Sequence, residues 1–227
     1  MWRRRMRVEV ASIGRLTLLV AGKRALVFDV GANCGAFALP LATAAGAGST
    51  IVAFEPNPVM VERLRTNLVL NGLTESVVVA EVALGKHDGE ATLNLVDRNL
   101  GQSSLRTIKS SKSISVAVRP LVHYLPKHSR CYDIFVIKVD VEGFEDEVLA
   151  PFLSTTPSNR LPDAILVETH HDESWSTDLR GILRQRGYDS FFDGEEGNTL
   201  FMRIGDRAKP SVRAHHIAEK KGLVNGI

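Results

Sequence analysis

Apolar residues in this chain come in short runs, and the first two runs reach an acid at or near their ends. Residues 25–30 read Ala-Leu-Val-Phe-Asp-Val, with Asp29 followed by the turn Gly31-Ala-Asn-Cys-Gly35; residues 50–54 lead directly into Glu55-Pro-Asn-Pro58. Further runs at 77–82, 134–139 and 164–167 have the same character. Continuous apolar stretches of this length are what parallel strands covered on both faces require. The spacing predicts helices between them. One covers about 35–45, where Pro40 should kink it or cost it a hydrogen bond. The next starts at Pro58 with Asn57 as its N-cap, buries Met60, Leu64 and Leu68 on one stripe, and stops at Gly72. A third covers 144–149 and ends before Pro151, and a fourth carries Trp175, Leu179, Ile182 and Leu183 up to Gly187. Residues 91–96 alternate like an exposed or hairpin strand, whereas 97–127, with the serines 103, 104, 110, 111, 113 and 115, shows no readable element.

The last two apolar runs, 188–192 and 199–204, are separated by Asp193-Gly-Glu-Glu-Gly-Asn198. That linker is too short for a crossover helix, so the two strands must pair antiparallel. The expected architecture is α/β: a mostly parallel seven-stranded sheet closed by an antiparallel hairpin, with helices on both faces. At 227 residues, 44% hydrophobic and 24% charged, one soluble domain is expected over 25–206. Residues 1–24 would form a lead-in, partly helical or disordered, and 207–227 a basic tail.

A net charge of +2 does not by itself call for a polyanion, although Arg3, Arg4, Arg5, Arg7 and Arg207, Lys209, Arg213, Lys220 and Lys221 gather at the ends. No apolar run approaches the roughly 20 residues of a membrane span. The segment Leu16–Gly22 is weakly leader-like, but Glu9, Gly14 and Arg15 interrupt it, and no export is expected. Cys34 and Cys131 fit no metal spacing and suggest a reducing, cytoplasmic setting without a disulfide.

The glycine spacing narrows the ligand. Dinucleotide folds use G-x-G-x-x-G to bring amides against a pyrophosphate. Here the order is Asp29-x-Gly31-x-x-x-Gly35. A wider loop behind an acid suits an adenosine cofactor with no phosphate and a cationic amino-acid tail, S-adenosylmethionine. A nicotinamide reductase is the competing enzyme reading, and a binding module without chemistry is the non-enzymatic one. Nucleic-acid methylation is not expected: the chain has only 6% aromatic residues for base stacking and no Asn-Pro-Pro-aromatic run.

Four segments together resemble the FkbM-type S-adenosylmethionine-dependent methyltransferases. They are Phe28-Asp-Val-Gly-Ala-Asn-Cys-Gly35, Ala53-Phe-Glu-Pro-Asn-Pro58, Val82-Ala-Leu-Gly85 with Asp88-Gly89, and Ile137-Lys-Val-Asp-Val-Glu-Gly-Phe-Glu145. The resemblance covers about 25–168 and departs from the family at Pro120-Leu121-Val122, where a Leu-Asp pair often stands. It implies a Rossmann-like class I methyltransferase fold and transfer of a methyl group to a hydroxyl of a sugar or natural product.

On that reading Gly31, Ala32, Asn33 and Gly35 form the cradle, and Asp29 holds the methionine ammonium directly or through water. Glu55 takes the ribose hydroxyls, Pro56 and Asn57 flank the adenosine, and Glu81, Val82 and Ala83 are adenine-side candidates by position. The alternatives are local bracing for Asp29, a Lys or Arg partner for Glu55, and plain packing for 81–83. A hydroxyl acceptor benefits from a general base. Asp140 and Glu142 lie beyond the fourth strand, close enough that one pKa should rise, and Asp140 could instead bind the cofactor's amino group. Glu168, His170 and His171 follow the fifth strand, and at most one histidine of the adjacent pair should face the acceptor. No metal is expected, although Asp140, Glu142, Glu168 and His170 mix ligand types that a divalent cation accepts.

Overall fold

The computed structural model describes residues 2–95, 112–126, 131–193 and 197–204, with side chains from residue 10 onward. Ser103, Ser104 and the basic tail 207–227 lie outside the described residues. The main sheet is built from β1 (Ala25–Val30), β2 (Thr50–Phe54), β3 (Val77–Ala80), β7 (Ile134–Val139), β8 (Ala164–Glu168), β9 (Tyr188–Asp193) and β10 (Asn198–Arg203). Its strand order is β3-β2-β1-β7-β8-β10-β9. All neighbours are parallel except β10, which runs antiparallel to both β8 and β9. The order reverses between β1 and β7, and open α/β sheets bind ligands at the carboxyl ends of the strands beside such a switch.

Strand parity sorts the side chains into two cores. Leu26, Phe28, Val30, Ile137 and Val167 pack with α4 (Glu145–Thr155) and α5 (Leu179–Gln185). Val27, Ala53, Val136 and Leu166 pack on the other face with α1 (Trp2–Val20), α2 (Ala38–Ala44) and α3 (Pro58–Leu70). The lead-in is thus a helix whose Leu16 and Val20 are fully buried in the second core. Among the described residues no helix is long and apolar enough to cross a membrane.

Four element expectations need correction; α5 starts only at Leu179, with Trp175 in the loop before it. The second helix begins at Ala38, not near 35, because Gly35 has φ +97°, which a right-handed helix excludes. Pro40 is then the third helical residue, where the missing N–H has no intrahelical partner to lose. Helix α4 continues through Pro151 to Thr155. An interior proline costs about 3 kcal/mol, and burial of Phe152 and Leu153 beyond it offsets that cost. Finally, the run at 77–82 ends at Ala80, and a second sheet follows: β4 (Ala83–Leu84), β6 (Lys112–Arg119) and β5 (Gly89–Leu95), in that order. Strand β6 lies in the stretch that showed no readable element. Helix α3 forms as its sequence predicts: Asn57 Oδ1 accepts the Val59 N–H at 3.0 Å, and Pro58 occupies the first turn.

Candidate active site

The turn after β1 is shaped by two glycines that no other residue could replace without movement. Gly31 has φ +73°, and a Cβ there would stand 1.9 Å from the backbone oxygen of Asp140. Gly35 has φ +97°, and its Cβ would collide with Leu39 and Leu64. Between them Asn33 adopts φ +52°, a left-handed conformation that asparagine tolerates. The Gly31 and Ala32 amides both donate to the Phe54 carbonyl at 3.0 Å. From α3, Asn67 Nδ2 donates to the Cys34 carbonyl at 2.8 Å. Asn67 had no assigned role; its only signal in the sequence is an amide set beside the apolar stripe of α3.

Glu55 joins this turn to the next. Its Oε2 accepts the Asn33 N–H and its Oε1 accepts the Asn57 N–H, both at 2.8 Å. Burial raises its pKa above the ordinary carboxylate value, against the pull of those two amides. Its partners are therefore backbone amides and not the Lys or Arg considered as the alternative.

A cleft of about 230 Å³ opens at this edge of the sheet. Gly31, Ala32, Asn33, Glu55, Pro56, Val82, Ala83, Asp140 and Glu142 all line it. The second sheet supplies Leu84 and Leu93 to its wall, and Phe54 and Met60 complete an apolar side that had gone unassigned. Period-two alternation at 91–96 was the available signal for Leu93. Gly35 and Asn57 support the cradle from outside the lining. Glu81 does not join it: this carboxylate is half-exposed and pairs with Arg65 of α3 on the outer surface.

Asp29 departs most from its expected role. Its side chain is fully buried on the face toward α2, the same face as Val27, and does not line the cleft. It stands in register with Lys138 of β7, whose Nζ is 3.4 Å from Asp29 Oδ1 and 3.6 Å from Asp140 Oδ2. The same ammonium donates to the Gly31 carbonyl at 2.8 Å. Burial raises the Asp29 pKa despite Lys138. Burial would lower the Lys138 pKa, but Asp140 and Asp29 more than offset it and the net shift is upward.

Beyond β7 the chain turns sharply through Glu142 at φ +54° and Gly143 at φ +100°. Buried Glu145 holds that turn: its Oε1 accepts the Val141 and Gly143 amides at 3.0 Å, and its Oε2 accepts Trp175 Nε1–H at 2.9 Å. The repeated acids of this segment thus have different tasks, Glu145 bracing the loop that carries Asp140 and Glu142. His171 Nε2 lies 3.8 Å from Glu142 Oε2. His170 is exposed and packs its backbone against Gly197, and its ring lies edge-on 5.0 Å from that of His171. Glu168, at the end of β8, is a carboxyl with a strongly raised pKa. Burial and the facing Asp140 push it up to about 9. Among the described residues no three His, Cys, Asp or Glu side chains are grouped to hold a metal ion. Cys34 and Cys131 are both free thiols.

The strand order, with its antiparallel β10 and a cleft at the β1–β7 switch, defines a class I methyltransferase fold. The chain belongs to the FkbM methyltransferase family: the family model for the methyltransferase FkbM domain matches residues 29–190. Methyltransferase 1 of Beauveria bassiana (strain ARSEF 2860) is 26% identical in an alignment of 142 positions that covers 54% of this chain and 56% of that protein. The crystal structure of methyltransferase FkbM from Methylobacillus flagellatus KT superposes with a TM-score of 0.52 at 19% identity, covering 80% of this chain and 44% of that one. A methyltransferase from Geobacter sulfurreducens gives a TM-score of 0.49 at 18% identity, covering 86% and 79%. The chain therefore spans about half the length of the first two.

Proposed function

We propose that this protein transfers a methyl group from S-adenosylmethionine to a hydroxyl oxygen of a small molecule, a sugar or natural product. The observation that carries the reading is the convergence of Gly31, Asn33, Glu55, Asp140 and Glu142 on one cleft at the sheet switch. The cradle fits the donor in shape: the missing Gly31 side chain lets the turn after β1 close against the Asp140 backbone, and Gly31, Ala32 and Asn33 line the cleft beside Glu55. It also fits in charge: Lys138 and buried Asp29 offset each other, leaving the partly exposed Asp140 carboxylate to meet the methionine ammonium. Asp140 takes this role because Asp29 is sealed behind Lys138. Each Glu55 oxygen accepts one amide and keeps a second lone pair for a ribose hydroxyl.

The donor supplies an electrophilic methyl on a sulfonium. The protein's work is to hold an acceptor oxygen in line with it, which can contribute about 7–11 kcal/mol, and to remove the hydroxyl proton. Glu142, on the cleft wall with His171 3.8 Å away, is placed to take that proton and pass it to the imidazole. The acceptor oxygen gains the methyl carbon, the carbon–sulfur bond breaks, and the sulfonium leaves as a neutral thioether.

Labelled S-adenosylmethionine with a panel of hydroxylated acceptors, together with calorimetric titration of S-adenosylhomocysteine, tests the reading. Glu55→Ala is expected to weaken binding by about tenfold or more, because it removes charge-assisted hydrogen bonds. Glu142→Gln is expected to lower kcat by about 10²–10⁴ without a matching loss of affinity. Absence of binding by the unaltered protein would sink the proposal.

A further inference from the structure

The end of β8 holds a carboxyl that the reaction outlined above does not use. Glu168 continues the register that pairs Lys138 with Leu166 and Val139 with Val167, which places it beside Asp140. Its side chain lies within hydrogen-bond reach of the Asp140 carboxyl, and its Oε2 is buried with no hydrogen-bond partner among the described residues. Two carboxylates cannot face each other there as two anions, since neither has a hydrogen to give. One proton must lie between them.

The surroundings decide which group keeps it. Asp140 is partly exposed to the cleft and has the Lys138 ammonium at 3.6 Å, so its anion is supported. Glu168 lies deeper and faces further acids: Glu142 from the loop after β7 and Glu145 from α4. Lys138 of β7 is the cation that faces it, shared with Asp29 and Asp140. On the hairpin side Asn198 of β10 stands opposite Glu168, and Asp193 of β9 accepts a hydrogen bond from Thr199 Oγ1 at 2.9 Å. His171 is directed to Glu142.

We propose that Glu168 is a positioning residue whose protonated carboxyl donates a hydrogen bond to the Asp140 carboxylate, fixing that anion between Lys138 and the cleft. The floor of the site then presents one negative charge, matched to one ammonium group, in place of two that would repel each other. The upward displacement of the Glu168 pKa to about 9 agrees with this placement. The inference rests on the methyl-donor reading only for the ligand used as probe, and the protonation state can be read without it.

Two measurements on the full chain decide it. In the infrared spectrum of the ligand-free protein at pH 7.5, a protonated-carboxyl C=O band is expected that Glu168→Gln removes; a spectrum identical in the two proteins overturns the proposal. In the second, S-adenosylhomocysteine affinity is followed from pH 7 to 10 in three proteins. Glu168→Ala is expected to lose about tenfold at pH 7.5, the loss of one hydrogen bond to a charged group. Glu168→Gln keeps a donor and is expected to restore most of that affinity. It should also lack the extra alkaline weakening that the unaltered protein shows as Glu168 ionises near pH 9. Titration of the ligand's own amine is common to all three and cancels. Equal loss in both variants with parallel pH profiles would mark Glu168 as packing alone and overturn the proposal. If the unaltered protein binds no ligand, the methyl-donor reading fails while the infrared result still decides the carboxyl pair.

Discussion

Gly31→Ala is expected to unfold the cradle rather than merely to weaken a ligand. The backbone at this position has φ +73°, and the added methyl would stand 1.9 Å from the Asp140 carbonyl oxygen and 3.0 Å from its carbon. Neither neighbour is the end of a flexible side chain. That carbonyl belongs to the residue whose N–H donates to Val30 across the β1–β7 pairing at 3.1 Å, so moving it strains the centre of the sheet. Left-handed backbone costs a non-glycine residue about 1–2 kcal/mol, and overpacking adds about 1–3 kcal/mol. At roughly 2–4 °C per kcal/mol for a chain of this size, the thermal midpoint should fall by roughly 4–20 °C. Donor binding should be lost with it, because Asp140 carries the anion of the site. Gly72→Ala is the control: its φ is also positive, but nothing lies within 4 Å of the added Cβ, so only the backbone cost applies. An unchanged midpoint in Gly31→Ala would mean that the close approach of these two loops is not a feature of the folded protein.

The glycines that cause this effect were legible in the sequence because a tight turn leaves a local mark. The same holds for Asn57 and Pro58, whose capping is settled within three residues. What escaped was set by pairing over long distances. Asp29 was visible as an acid at a strand end, but the face it takes depends on strand parity, and its partner Lys138 is 109 residues away in sequence. Glu168 and Asp140 likewise meet only because β7 and β8 are neighbours in register. Strand β6 carried a period-two signal, Ile114, Val116 and Val118, hidden among serines and arginine. Pro151 pointed to a helix end that burial of Phe152 and Leu153 overrode. The sequence also showed the acids of Asp140-Val-Glu-Gly-Phe-Glu145 without separating their roles. Only the hydrogen bonds of Glu145 to two amides and an indole distinguish the brace from the groups that face the cleft.

Lys138→Met should produce the largest loss of stability of any single change away from the turns. The ammonium is buried between two carboxylates and a glycine carbonyl, and it sits 5.1 Å from the centre of the Phe37 ring. Removing one partner of a buried pair costs about 3–5 kcal/mol, because the remaining charge is left uncompensated. Here Asp29 is that charge, and the Ala38 backbone amide is the hydrogen-bond donor left to it. The pH dependence has a definite sign. Lys138 has a folded pKa raised above its ordinary 10.5, so its stabilisation is complete below that value and is lost as pH rises through the folded pKa. The variant should lack this alkaline loss. Asp29 already has a folded pKa raised above 3.8 and should rise further without its cation. A raised carboxyl favours the folded state below its unfolded pKa and loses that advantage as pH increases, so the deficit of Lys138→Met should be small in acid and grow toward neutrality. Adding Asp29→Asn removes the stranded charge, and the double variant should recover about 0.5–3 kcal/mol relative to Lys138→Met alone. Denaturant titrations of the four proteins at pH 4.5 and 7.5 would measure both effects. A double variant no more stable than Lys138→Met at either pH would show that Asp29 does not depend on Lys138, and the charge balance assigned to the cleft floor would fall with it.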